Sequence, residues 1–154
     1  MRAQALRIAH QLRRLYWRIA KPVRYGVKVM AFNHAGQLLL VRHVYGSAHL
    51  WMLPGGAIDR GEAAEHAAAR ELMEETALDA KALRLFGHYT TVAEGKRDHI
   101  ALFACTVEGA PRIDQRELAE ARFFALDALP ADTSPATRRR VADWQAGQPA
   151  GSAW

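Results

Sequence analysis

Three glutamates, Glu71, Glu74 and Glu75, are spaced so that a helix would carry all three on one side. At about 100° per residue, Glu75 lies about 40° from Glu71 in one direction and Glu74 about 60° in the other. Carboxylates at these spacings are neighbours on a helix surface and repel one another. Clustered oxygen ligands suit a hard cation such as Mg²⁺. The alternative, which charge alone favours, is a solvated acidic face.

Small residues accompany this acidic stripe. The side of the helix that carries the glutamates also carries three alanines: Ala64, Ala67 and Ala68. Small side chains let a helix approach its neighbour closely, whereas a freely solvated face more often carries long polar side chains. We therefore expect the carboxylates to face inward or into a cleft. Arg70, one residue before Glu71 and four before Glu74, is placed to orient a carboxylate.

The segment from Gly56 to Leu78 resembles the Nudix box, written G, five residues, E, seven residues, R-E-aliphatic-x-E-E-x-G-aliphatic. The matching residues are Gly56, Glu62, Arg70, Glu71, Leu72, Glu74, Glu75 and Leu78. One position departs, because Ala77 stands where the family has glycine. Glycine there would end the helix in the left-handed conformation. Alanine adopts that conformation at a cost of about 1–2 kcal/mol.

The resemblance implies an enzyme that hydrolyses a nucleoside diphosphate linked to another group X, with Mg²⁺ or Mn²⁺ as its cofactor. A diphosphate is polyanionic and repels hydroxide, so divalent cations neutralise its charge, activate water and stabilise the leaving phosphate. By the same resemblance, Arg70 orients Glu71 in catalysis, and Glu62 supports the junction between loop and helix. The implied metal ligands are Glu71, Glu74 and Glu75, with a backbone carbonyl of Gly55 or Gly56.

Many Nudix enzymes also use a late glutamate, outside the box, as a base or additional ligand. The candidates are Glu117 and Glu120, which lie just before a predicted strand over residues 121–126, and Glu94 in a predicted hairpin. We favour Glu117, because its distance ahead of that strand resembles the usual arrangement of the family. For each of the three, an ordinary surface carboxylate is the alternative.

Two residues are candidates for substrate binding. Arg42 has the charge to meet a phosphate, and Trp51 precedes the Pro54-Gly55-Gly56 loop, where it would line a base pocket or pack in the core. The expected partner is a small-molecule diphosphate, with oxidised nucleotides among the candidates. Two other functions stay open: a catalytically silent Nudix-fold binding or regulatory module, and an RNA 5′-end pyrophosphohydrolase, although we expect no nucleic-acid partner.

The elements that must position these residues alternate between strand and helix. Strands are predicted over residues 25–32, 37–43, 83–92, 99–107 and 121–126, and helices over residues 62–76 and 135–145. Strands mixed with a few helices predict an α/β layered domain. The resemblance makes this a Nudix-type α/β/α sandwich around a mixed sheet, within a domain spanning residues 22–147 and followed by a loose tail at 148–154.

The basic character of the chain is concentrated at its start. Residues 1–24 contain seven arginines and lysines and no acidic residue, while the chain as a whole has a formal net charge of +5. Apolar residues at helical spacing predict an amphipathic helix over residues 3–20 that ends before Pro22. We expect this N-terminal segment, residues 1–21, to pack on its own domain or on a second copy in a homodimer. Peripheral contact with an anionic membrane is the competing interpretation.

Composition excludes several classes of protein. The chain has 154 residues, half of them hydrophobic, which is ordinary for one globular domain. Cys105 is the single cysteine, so no internal disulfide forms and a reducing compartment is expected. No apolar run approaches the roughly 18 residues needed to span a membrane. These features favour a cytoplasmic location without integral membrane insertion.

Overall fold

The computed structural model describes residues 23–93 and 96–154, and this part of the chain forms a five-stranded mixed sheet with two helices. The predicted N-terminal helix lies outside the described residues. Strand order is β3-β4-β1-β2-β5, with β1 and β4 parallel and the other neighbours antiparallel. In chain order the elements are β1 (Val23–Phe32), β2 (Leu38–His43), α1 (Ala64–Thr76), β3 (Lys81–Ala93), β4 (Lys96–Thr106), β5 (Leu118–Phe124) and α2 (Pro135–Gln145).

The side chains of β1 contribute to two core layers, because successive side chains of a strand point to opposite faces of the sheet. Val27, Val29 and Ala31 belong to the cluster that packs against α1, which contributes Ala67, Ala68 and Leu72. Met30 and Phe32 belong to the opposite cluster, which contains Val141 of α2 and has Trp144 packed against it. The helices therefore cover opposite faces of the sheet, and the predicted α/β/α sandwich is confirmed.

The helix that carries the glutamates ends at Ala77, the alanine that stands in place of the family's glycine, and it ends there in the expected left-handed conformation. Ala77 has φ 57° and ψ 24°, in the left-handed region, and its N–H donates to the Met73 carbonyl at 2.8 Å. Ala67 and Ala68 are fully buried, and of the predicted inward-facing carboxylates Glu71 is only 16% exposed whereas Glu74 is 60% exposed. The observed bounds of the helices and strands lie within three residues of the predicted ones.

The last seven residues differ from the loose tail that the sequence suggests. The Ser152 carbonyl accepts a hydrogen bond from the Thr90 N–H of β3, and the Trp154 ring lies edge-on to Tyr89. Arg140 of α2 donates to the Ala153 carbonyl at 2.7 Å. Partners distant in sequence thus hold this segment, and composition alone does not reveal them. Within the described residues no helix is long and apolar enough to cross a membrane.

Candidate active site

The loop before α1 lies against β1 as an additional short strand. The Val27 N–H donates to the Gly56 carbonyl at 2.9 Å, the Val29 N–H donates to the Pro54 carbonyl at 3.0 Å, and the Ile58 N–H donates to the Tyr25 carbonyl at 3.0 Å. This pairing fixes residues 54–58 beside the centre of the sheet. It also carries the Gly55-Gly56 segment to the glutamates of α1.

Both glycines of this loop lie so close to neighbouring atoms that a side chain would not fit at either position. Gly55 has φ 140°, and a Cβ at this position would overlap the Val27 carbonyl oxygen and lie 2.9 Å from the Lys28 Cα. A Cβ at Gly56 would lie 2.5 Å from the carboxyl carbon of Glu71. A side chain at either glycine would therefore push the loop away from β1 or fill the space that the Glu71 carboxylate occupies.

Glu75 is tied directly to the same loop. Its Oε2 accepts a hydrogen bond from the Gly55 N–H at 2.9 Å. Burial raises the pKa of Glu75 to about 7, against the lowering effects of the Gly55 N–H and the Lys28 ammonium, while Glu71 and Glu117 raise it further. A carboxyl with this pKa would lose its proton when a divalent cation binds beside it.

Arg70 joins the middle of α1 to the loop that precedes the helix. Its guanidinium donates to both oxygens of Glu62, at 2.8 and 2.9 Å, and to the Ala57 carbonyl at 3.0 Å. It also donates to Glu71 Oε1 at 2.8 Å. Hydrogen bonds from Arg70 lower the pKa of Glu62 to about 2. One guanidinium thus hydrogen-bonds the carboxylates of both Glu62 and Glu71.

Glu74 occupies a more open position than the other two box glutamates. Its side chain is 60% exposed, compared with 16% for Glu71, and it lies 3.3 Å from Arg70. Across residues 23–93 and 96–154, no three His, Cys, Asp or Glu side chains are already arranged around a metal position. The structure therefore brings Glu71 and Glu75 together at the loop and leaves Glu74 at the edge of the site.

Lys28, which lies on β1 next to the glycine loop, is a residue of the site that no sequence motif indicates. Its Nζ donates to the Leu53 carbonyl at 3.0 Å and lies 3.5 Å from the Gly55 carbonyl oxygen. Burial lowers the pKa of Lys28, whereas the charges of Glu75 and Glu71 raise it. The signal available in the sequence is that Lys28 is the single charged residue in the otherwise apolar stretch of β1 from Val27 to Phe32.

The late glutamates Glu117 and Glu120 have different surroundings. Glu117 is close enough to raise the pKa of Glu75, and its carbonyl accepts a hydrogen bond from the Val44 N–H at 3.0 Å. Glu120 lies opposite Arg42 in the pairing of β2 with β5, and its carboxylate forms ion pairs with Arg42 and with Arg122. Glu94 lies outside the described residues.

The two predicted substrate-binding residues contact each other. Trp51 is only 5% exposed and belongs to the core cluster on the α2 side of the sheet, where its ring meets Phe124 edge-on. The Arg42 guanidinium lies over the Trp51 ring at 5.3 Å and is paired with Glu120. Trp51 therefore packs in the core, and the charge of Arg42 is already paired with Glu120.

The residues gathered at the loop fit a hard divalent cation. The available donors are oxygens: the carboxylates of Glu71 and Glu75, and the carbonyl of Gly55. The Gly56 carbonyl already accepts the Val27 N–H, so the Gly55 carbonyl is the better placed of the two. An all-oxygen set suits Mg²⁺ or Mn²⁺ rather than softer metals. Gly56 keeps the space beside the Glu71 carboxylate open.

Comparison with known proteins shows the family to which the chain belongs. The model of the NUDIX domain matches residues 22–145, so the chain belongs to the Nudix hydrolase family. A Bacillus subtilis (strain 168) protein, provisionally named an 8-oxo-dGTP diphosphatase, is 33% identical over 122 residues, which cover 79% of this chain and 80% of that protein.

Two further similarities bear on function and fold. An RNA pyrophosphohydrolase of Bartonella bacilliformis is 42% identical over 64 residues, but the match spans only 37% of this chain and 38% of that protein. The crystal structure of a MutT NUDIX hydrolase from Burkholderia pseudomallei superimposes with a TM-score of 0.70 at 28% identity, covering 78% of this chain and 96% of that one.

Proposed function

We propose that this Nudix hydrolase cleaves the diphosphate bond of a nucleoside diphosphate linked to another group X, in a reaction that depends on Mg²⁺ or Mn²⁺. The observation that carries the proposal is the meeting of Glu71 and Glu75 at the glycine loop, where the Gly55 N–H bonds Glu75 and Gly56 leaves room for the Glu71 carboxylate. Two carboxylates are brought together there despite their repulsion, which favours a cation-binding role.

In this proposal Glu71, Glu75 and the Gly55 carbonyl hold the divalent cation, and Glu74 joins them from the edge of the site. When bound, the cation supplies charge neutralisation for the diphosphate and acidifies the attacking water. Arg70 keeps the Glu71 carboxylate oriented toward the loop through its hydrogen bond to Oε1. Glu62 anchors Arg70 in turn, so both act as positioning residues.

We assign the general base to Glu117, which would accept the proton of the attacking water. The effect of Glu117 on the pKa of Glu75 supports its proximity to the site. Glu120 is disfavoured because Arg42 and Arg122 already neutralise its charge. A general base must lie within reach of the proton that it removes, directly or through one water.

The substrate class that we favour is a small nucleotide. The name of the Bacillus subtilis relative, whose match covers most of both chains, supports including nucleoside triphosphates and their oxidised forms among the candidates. RNA carrying a 5′-triphosphate is the second candidate, supported by the name of the Bartonella relative. Because that match is confined to a third of the chain, we place it behind the small nucleotides.

A substrate screen tests the proposal. Nucleoside triphosphates, nucleotide sugars and dinucleotides would be incubated with Mg²⁺ or Mn²⁺, with detection of released phosphate or pyrophosphate. Glu74→Gln and Glu75→Gln should each reduce turnover by at least about 10²-fold while circular dichroism stays unchanged, because an electrostatic element of catalysis is lost. Wild-type rates in both variants would contradict the assignment, and binding without any turnover would favour the silent module.

The choice between nucleotide and RNA needs its own comparison. Turnover of mononucleotides and of 5′-triphosphate RNA would be measured in the full chain and in a variant lacking residues 1–21. If RNA were the substrate, the basic segment would add phosphate contacts, and its removal would selectively reduce RNA turnover and its dependence on salt. We expect mononucleotide turnover to exceed RNA turnover in both forms.

A further inference from the structure

Lys28 is held beside the glycine loop by the backbone hydrogen bonds of its neighbours in β1. The residues on either side, Val27 and Val29, donate their N–H groups to the carbonyls of Gly56 and Pro54. The loop also approaches so closely that a Cβ at Gly55 would lie 2.9 Å from the Lys28 Cα. The main chain of Lys28 therefore cannot move away from the loop without breaking this pairing, and only its flexible side chain can change position.

The ammonium of Lys28 lies near one oxygen atom that the proposed function assigns to a metal ion, the carbonyl oxygen of Gly55. Its Nζ lies 3.0 Å from the Leu53 carbonyl oxygen and 3.5 Å from that of Gly55. The carboxylates that act on its charge are Glu75 and Glu71. Both backbone groups of Gly55 have partners, since its N–H donates to Glu75 and its carbonyl oxygen lies near the Lys28 ammonium.

We propose that Lys28 is an internal cation that holds the glycine loop in the metal-free protein and competes with the divalent ion for the Gly55 carbonyl and the two carboxylates. This inference rests on the proposed metal site. A lysine suits the role because its ammonium is a compact charge on a flexible stem, able to leave the carbonyls while the backbone stays in place. Lys28 thus sets the metal affinity below that of the bare carboxylates.

Metal binding without substrate tests this competition. Free Mn²⁺ would be measured by electron paramagnetic resonance during titration of the wild type, Lys28→Gln and Lys28→Arg. Glutamine keeps a donor for the carbonyls but removes the charge, and should tighten Mn²⁺ binding about tenfold, as expected for removal of a like charge a few ångströms away. Arginine keeps the charge and should stay close to wild type.

A matched control separates the local effect from the change in net charge. Lys81→Gln removes the same charge from an exposed pair with Glu108, and should leave Mn²⁺ affinity unchanged. Unchanged or weaker Mn²⁺ binding in Lys28→Gln would overturn the inference. If the wild type bound no Mn²⁺, or bound it equally well after Glu75→Gln, the proposed function itself would fail.

A second measurement needs no variant. Reductive methylation of Lys28 in the wild type, followed by mass spectrometry, should be faster when Mg²⁺ is added, because the amine loses its carbonyl partners. The methylation rate of Lys81 serves as the internal reference. A Lys28 rate that stays constant or falls on addition of Mg²⁺ would contradict displacement of the ammonium, whatever the variants show.

Discussion

Replacing Glu75 with glutamine should make the metal-free protein more stable at alkaline pH. Burial raises the pKa of Glu75 to about 7 in the folded protein, whereas in the unfolded chain this carboxyl titrates near its ordinary value of 4.5. Between these values the folded state binds more protons than the unfolded state. The free energy of unfolding of the wild type therefore falls as pH rises from about 4.5 to about 7.

The size of the effect follows from that shift. One pKa unit corresponds to about 1.4 kcal/mol, so the raised pKa of Glu75 costs the metal-free fold about 3 kcal/mol above pH 7. Glutamine is neutral at every pH, and its side-chain oxygen can still accept the Gly55 N–H. Glu75→Gln should thus match the wild type near pH 4.5 and exceed its stability at pH 8 by up to that amount.

The assay is urea denaturation after treatment with a chelator, at pH 5 and pH 8, followed by circular dichroism. Glu74→Gln is the matched control, because it removes a carboxylate of the same helix that is 60% exposed and should not reproduce the gain in stability at pH 8. A Glu75→Gln variant whose stability ran parallel to the wild type, or fell below it at pH 8, would refute the reasoning.

Two other predictions follow from the structure and a third from the sequence of the N-terminal segment. Ala77→Gly should raise stability by up to about 1 kcal/mol by relieving the left-handed alanine, whereas Ala69→Gly in the interior of the helix should lower it by a similar amount. Glu117→Gln should reduce kcat about 10²-fold or more with Mn²⁺ affinity retained, whereas Glu120→Gln should reduce it far less. Deletion of residues 1–20 should lower the melting midpoint or change the oligomer size while hydrolysis persists.

Each of these predictions has a distinct contrary result. An unchanged or lowered midpoint in Ala77→Gly would mean that the helix end carries no strain. Equal losses of kcat in Glu117→Gln and Glu120→Gln would remove the reason for preferring Glu117. For the N-terminal segment, salt-sensitive binding to anionic vesicles, together with an unaltered midpoint and oligomer size after the deletion, would favour the interfacial helix over a protein partner.

The features that the sequence predicted well are those with local causes. The helical spacing of Glu71 and Glu75 and the glycines before the helix are encoded within 23 consecutive residues, and the left-handed end at Ala77 follows from its place after the last turn. The strand pattern was likewise predictable from alternation, because β1 buries alternate residues on opposite faces of the sheet.

What the sequence did not reveal depends on pairings between distant segments. The physical reason for preferring Glu117 to Glu120 comes from the register of β2 with β5, which places Arg42 opposite Glu120. Lys28 gains its role because residues 54–58 pair with β1. The tail at 148–154 is held by β3 and α2. Such contacts carry no local pattern, so composition and spacing could not predict them.

Metal-dependent turnover in wild type and Glu75→Gln, measured side by side on a nucleoside diphosphate derivative, tests the central claim most directly. We expect hydrolysis by the wild type that requires Mg²⁺ or Mn²⁺ and stops on addition of a chelator. We also expect turnover to fall by at least about 10²-fold in the folded Glu75→Gln variant. Hydrolysis that persists in the chelator, or runs at the wild-type rate in Glu75→Gln, would contradict it.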